Sequence, residues 1–126
     1  MLKTDAIILF QGDSVTEAGR SLEDDSELGF GYAKFVASWL AAKNPQRRID
    51  FLNRGISGNR VRDLRARWQE DCLDLKPDIL TILIGIDDCW RRYREISDPT
   101  SPERYEEDYR WILTQAKEKT VAQIIL

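Results

Sequence analysis

The chain has 126 residues, 42% hydrophobic and 33% charged, which is the usual size of a single domain (1–126) with enough apolar material for one core. A formal net charge of −3 excludes the global basic footprint of a nucleic-acid binder. No stretch approaches the ~20 apolar residues of a spanning helix, so neither nucleic acid nor membrane is an expected partner.

Ala6 to Phe10 is a short continuous apolar run followed by turn residues, the pattern of a strand buried on both faces. This N-terminal run of about five apolar residues is shorter than a signal-peptide core, and a cytoplasmic location is expected. From Gly31 the period changes: Tyr32, Phe35, Val36, Trp39 and Leu40 fall on one helical face, which Asn44-Pro45 ends. Ile49 to Leu52 reads as a second strand and Asn53 to Asn59 as a loop holding Gly55 and Gly58. A helix is expected from Val61 to Leu75, with Val61, Leu64, Trp68, Cys72 and Leu75 on its inner stripe, until Lys76-Pro77 stops it. The third strand, Ile79 to Ile84, is as apolar as the first. Ser101 can cap a further helix with Pro102 at its first position, and Tyr105, Tyr109, Ile112, Leu113 and Ala116 line one face of it. Val121 to Leu126 opens a fourth strand.

The order β-α-β-α-β-α-β predicts an α/β protein with an open three-layer α/β/α parallel sheet, whose helices are long enough for right-handed crossovers. Chemistry in such sheets gathers beyond the carboxyl ends of the strands, here Gly12 to Thr16, Gly55 to Asn59 and Gly85 to Trp90. The fourth strand, residues 121–126, is left as an apolar edge, open to pairing in a homo-oligomer or swapped dimer. Arginines gather at Arg60, Arg62, Arg65 and Arg67 and at Arg91, Arg92 and Arg94; solvated helix faces account for them. Cys72 and Cys89 are too few and too far apart for a disulfide framework or a metal motif and read as reduced, mostly buried thiols.

Three motifs occupy those strand ends: Gly12-Asp13-Ser14, then Asn53-Arg54-Gly55-Ile56-Ser57-Gly58-Asn59, then Gly85-Ile86-Asp87-Asp88-Cys89-Trp90-Arg91 in a third loop. In order, spacing and placement they resemble the SGNH hydrolases, the GDSL family of lipases and esterases, over nearly the whole chain. The resemblance implies a flavodoxin-like fold and hydrolysis of carboxylic esters, with short acyl groups on sugars or small alcohols as the small-molecule substrate. It implies Ser14 as the catalytic nucleophile and the backbone N–H groups of Ser14 and Gly58 as oxyanion-hole donors. Asp13 and Asp88 stand as supporting residues. No cofactor and no metal are implied.

Two departures stand out. Asp87 occupies the place of the family's oxyanion-hole asparagine, and an ionised carboxylate is acceptor-only where two N–H donors are wanted. The chain also contains no histidine, whereas a serine hydroxyl needs an adjacent base to take its proton. The family's Asp-x-x-His motif lies downstream of the fourth strand, so the chain reads as the N-terminal portion of such an enzyme, truncated after that strand and weakly active or inactive alone. A non-catalytic scaffold or complementing fragment is the alternative. A third reading makes Asp13, Asp87 and Asp88 a carboxylate cluster for Mg²⁺ or Ca²⁺. The glycines taken singly also suit tight strand-to-helix turns. Trp90 beside its loop with Arg91 in water, and Glu23, Asp24, Asp25 and Glu27 in a mobile loop, complete the expectations.

Overall fold

The computed structural model describes residues 3–94 and 97–126. One parallel sheet runs in the order β2-β1-β3-β4, with β1 at Asp5–Gly12, β2 at Arg48–Asn53, β3 at Ile79–Leu83 and β4 at Gln123–Ile125. The register sets Leu9 between Leu52 and Leu80, and Phe10 between Asn53 and Thr81. Because side chains alternate along a strand, Leu9, Leu80 and Ile82 fall on one face while Ile8, Phe10 and Ile79 fall on the other.

Helices cover both faces, as a parallel sheet requires. On the first face Val61, Leu64 and Trp68 of α3 (Val61–Trp68) and Ile112 and Ala116 of α5 (Pro102–Lys119) close over Leu9, Leu80 and Ile82. The side chains of Trp68, Leu64, Leu80 and Ile112 are fully buried, each contributing about 1.5–3 kcal/mol by leaving water. Cys72 and Leu73 continue that core from a π-helical turn, Gln69–Leu73, that ends the helix. Arg65 ties the layer together, donating to Asp108 of α5 at 2.7 Å and stacking on Trp111. Helix α5 starts where expected, its Ser101 hydroxyl accepting the Arg104 N–H behind Pro102.

The second face holds the first departure. Helix α2 (Tyr32–Lys43) packs through Ala33 and Ala37, with Tyr32 and Leu40 reaching the strands, whereas Phe35, Val36 and Trp39 point to solvent. Small residues let this helix lie close over Ile8 and Phe10, and the inward stripe is rotated from the one the large residues mark. The third motif departs as well: Gly85 is the cap of a helix, α4 (Ile86–Tyr93), so Asp87 and Asp88 sit in a helical first turn and not in a loop. Acidic side chains are favoured there by the unsatisfied N–H groups. Cys72 is buried, which pushes its thiol up to about 12, but Cys89 is exposed. Nor do the arginines of α3 form a solvated face, since Arg60, Arg65 and Arg67 each pair with a carboxylate.

Trp68→Ala is expected to lower stability by about 3–5 kcal/mol in urea unfolding, whereas Trp39→Ser shifts it by no more than about 0.5 kcal/mol. The reverse ranking contradicts the α2 orientation described.

Candidate active site at the carboxyl ends of the strands

Strand β1 ends at Gly12, and the chain turns at Asp13 into α1, a single helical turn, Ser14–Glu17. The Asp13 carboxylate accepts the Val15 N–H at 3.0 Å, and its carbonyl accepts the N–H groups of Thr16 and Glu17. With its carboxylate used inward, Asp13 is buried and the next residue, Ser14, is exposed. Burial pushes the Asp13 carboxyl above its ordinary 3.8; the Val15 N–H opposes this, and the nearby charge of Asp87 adds to the rise. A helix of one turn carries little dipole, so fixed N–H groups, not a helix field, are what this turn offers an anion.

The second motif is bound to that turn by side-chain and backbone bonds. Asn53 is buried, and its amide donates to the carbonyls of Thr16 and Leu28 at 2.7 and 3.1 Å while its oxygen accepts the Gly55 N–H at 2.9 Å. The Ile56 N–H reaches the Gly12 carbonyl at 3.1 Å, and Arg20 donates to the Gly55 carbonyl at 2.9 Å. Gly55 packs so closely on the backbone of Thr16 and Glu17 that a Cβ would overlap it. Ser57 donates its N–H to the Glu17 carboxylate at 2.7 Å. From behind, Arg54 bridges Asp25 and Asp71 at 2.5 and 2.7 Å, and Arg67 bridges Asp71 and Asn59 at 2.5 and 3.0 Å.

At the third motif, the buried Asp88 carboxylate accepts the N–H of Val61 at 3.0 Å and so holds the start of α3 to α4. Burial raises its pKa, opposed by that N–H. One oxygen of Asp87 is buried with no hydrogen-bond partner among the described residues. Among the described residues no group of His, Cys, Asp and Glu side chains is placed to hold a metal ion. Asp88 is turned to Val61, so Asp13, Asp87 and Asp88 do not form the carboxylate cluster of the metal reading.

Residues 10–126 match the GDSL-like lipase/acylhydrolase family. The chain belongs to that family. An acetylxylan esterase of Geobacillus stearothermophilus is 48% identical over 90 residues, 68% of this chain and 41% of that protein. Solved structures agree: an acetyl xylan esterase variant from the same organism superposes with a TM-score of 0.89 at 36% identity, over 98% of this chain and 60% of that one. A protein of Parabacteroides merdae ATCC 43184 described as a GDSL-like lipase gives 0.90 at 43% identity, over 98% of this chain and 59% of its own. The chain therefore spans about three fifths or less of the length of these relatives. The GDSL-like fold places Ser14, Gly58 and Asp87 at the same end of the sheet, on segments that follow β1, β2 and β3.

Glu17 and Asp71 were not singled out from sequence, and Asn53, Asp25, Arg54 and Arg67 were named without the bonds that join them here. Asp25 is paired with Arg54 and accepts the Asn53 N–H through its carbonyl, so part of the expected mobile acidic loop is tied to the second motif. Trp90, expected to pack beside its loop, lies half in water with the Arg94 guanidinium over its ring at 4.3 Å.

Asp13→Asn keeps the oxygen that accepts the Val15 N–H and removes a buried charge. It is expected to raise the urea midpoint at neutral pH. Since the wild-type carboxyl takes up its proton in the folded state before the unfolded one, this gain shrinks as pH falls through the raised folded pKa and is gone below the ordinary 3.8. A gain that stays constant across that range contradicts the charge-burial account.

Proposed function

We propose that this chain carries the nucleophile and backbone donors of a serine ester hydrolase that acts on short acyl esters of sugars or small alcohols. The observation that carries the reading is the bonding of the Gly12-Asp13-Ser14 turn to the loop bearing Gly58, through Ile56 to Gly12 and Asn53 to Thr16. The exposed Ser14 hydroxyl attacks the ester carbonyl carbon, and the carbonyl oxygen takes the negative charge. The N–H groups of Ser14 and Gly58 donate to that oxygen, each donor being worth about 3 kcal/mol. The base takes the serine proton and returns it to the departing alcohol, and water then cleaves the acyl group from Ser14. Preference for sugar esters rests on likeness to the Geobacillus acetylxylan esterase. Structures of that esterase include catalytic mutants in which a serine, a histidine or an aspartate is replaced by alanine.

These 126 residues contain no histidine, so the base comes from outside them. Asp87 adds a second obstacle, since its carboxylate offers no donor to an oxyanion unless protonated. The chain alone is therefore a poor catalyst. A cytoplasmic location belongs to the same reading; among the described residues no helix is long and apolar enough to cross a membrane, while one relative, 31% identical over 78 residues, is named a lipoprotein.

A second reading, a non-catalytic or complementing piece that pairs with another copy, is favoured by the bare side of β4. Ile125 and Leu83 stand about half exposed on the α2 side of the sheet, and Val121 and Leu126 are more exposed still.

Nitrophenyl acetate hydrolysis is expected to be slow with the chain alone and to rise with added imidazole, which supplies the base. Ser14→Ala leaves only the solution reaction of imidazole, and Asp87→Asn raises the imidazole-dependent rate ~10–100-fold. Catalysis that survives Ser14→Ala removes the first reading. For the second, light scattering is expected to show a dimer that Ile125→Lys dissociates, and a wild-type monomer at every concentration removes it.

A further inference from the structure

Residues Ile56 to Asn59 form a tight turn closed by the Asn59 N–H on the Ile56 carbonyl at 3.2 Å, with Ser57 and Gly58 at its centre. Gly58 has φ +78°, the value at the third position of a type II turn. The type I and type II forms of such a turn differ in the central peptide, here Ser57 to Gly58, which is reversed between them. That peptide carries the Gly58 N–H. In the reversed form the Ser57 carbonyl oxygen faces where the N–H stood, and an acceptor replaces a donor.

A Cβ built on Gly58 would meet no atom within 4 Å, so that side of the turn is open. Hydrogen bonds on either side hold the turn in place. The bonds that Asn53 and Ile56 donate to the nucleophile turn, and the one that the Gly55 carbonyl accepts from Arg20, all precede Ser57, and Arg67 holds the Asn59 side chain beyond it. Among the described residues, the one bond from the nucleophile turn to a central residue of this turn is that of the Ser57 N–H to the Glu17 carboxylate at 2.7 Å, on the Ile56–Ser57 peptide, which keeps its orientation in both forms. Glu17 in turn closes α1, the single turn that begins at Ser14, and its N–H is held by the Asp13 carbonyl at 2.9 Å. One residue thus links the turn that bears Ser14 to the Ile56–Ser57 peptide, which directly precedes the peptide carrying the Gly58 N–H.

We propose that Glu17 is a positioning residue that fixes the Ile56–Asn59 turn against the turn that bears Ser14, so that the Gly58 N–H, in the orientation its positive φ sets, meets the acyl oxygen above Ser14. This rests on the hydrolase reading, because only there does the Gly58 N–H have an oxyanion to meet. Glu17 itself touches no reacting atom.

The test uses the full chain, ¹⁵N-labelled, with Glu17→Gln, which keeps an acceptor oxygen, and Glu17→Met, which keeps the length without one. Urea unfolding shows that each variant is folded. Amide exchange at Ser57 and the Gly58 amide shift report the turn. Ser14 reactivity is read by intact mass with a fluorophosphonate in imidazole buffer: Ser14 Oγ bonds to phosphorus, fluoride leaves, and imidazole takes the hydroxyl proton. Glu17→Met is expected to speed Ser57 exchange and slow phosphonylation each by ~10-fold and to move the Gly58 amide shift, with Glu17→Gln within ~3-fold of wild type. Gly58→Ala, which opposes positive φ, should slow phosphonylation similarly, and adding Glu17→Met to it should slow it little further. Wild-type rates and an unmoved Gly58 amide in Glu17→Met overturn the proposal. If the wild type itself is not phosphonylated, the hydrolase reading fails, while Ser57 exchange and the Gly58 amide shift still decide whether Glu17 holds the turn.

Discussion

Strand β1 is the constraint on which the rest of the molecule depends. It pairs with β2 on one edge and β3 on the other, and Ile8, Leu9 and Phe10 are buried on alternating faces, so it can neither slide nor turn without exposing a core. Because all four strands are parallel, their carboxyl ends lie at one end of the sheet. Where β1 stops decides where Ser14 stands. The Gly12 carbonyl, last in the strand, is also the anchor for Ile56 of the second motif.

Around that anchor the chain buries several polar side chains. Gln11, Asp13, Asn53, Asp71 and Asp88 are all buried, and each meets backbone N–H or carbonyl groups or a guanidinium. Such groups are costly unless bonded, and once bonded they specify a single arrangement of loops that apolar contacts alone would leave loose. Among the described residues, Asp87, like Gln11, keeps a buried oxygen that has no hydrogen-bond partner. An amide there would supply N–H donors; the carboxylate instead raises the proton affinity of Asp13.

Much of the fold was legible in the chain. The runs at Ala6 to Phe10 and Ile79 to Ile84 became β1 and β3, because a strand buried on both faces has no polar side to interrupt it. Ser101-Pro102 started α5 because capping is a local matter of one hydroxyl and one missing N–H. The inward face of α2 was not legible: periodicity marks the large residues, whereas the sheet accepted the side with Ala33 and Ala37. The pairing of Arg54 and Arg67 with Asp71, and of Arg65 with Asp108, was equally hidden, since a charge pattern does not say which carboxylate lies across a helix interface.

By itself, then, the sequence determined the order of the four strands and the three longer helices, the family, the position of Ser14 in its turn, the lack of any histidine and the acid at position 87. These depend on residue identity and on neighbours within a few positions. Only the tertiary structure decided that Asp88 holds the start of α3, that Asn53 stitches two loops together, and that Glu17 reaches across to Ser57. Those are contacts between residues 27, 37 and 40 positions apart. They exist because the sheet's register brings the strand ends together, and no local pattern encodes that register.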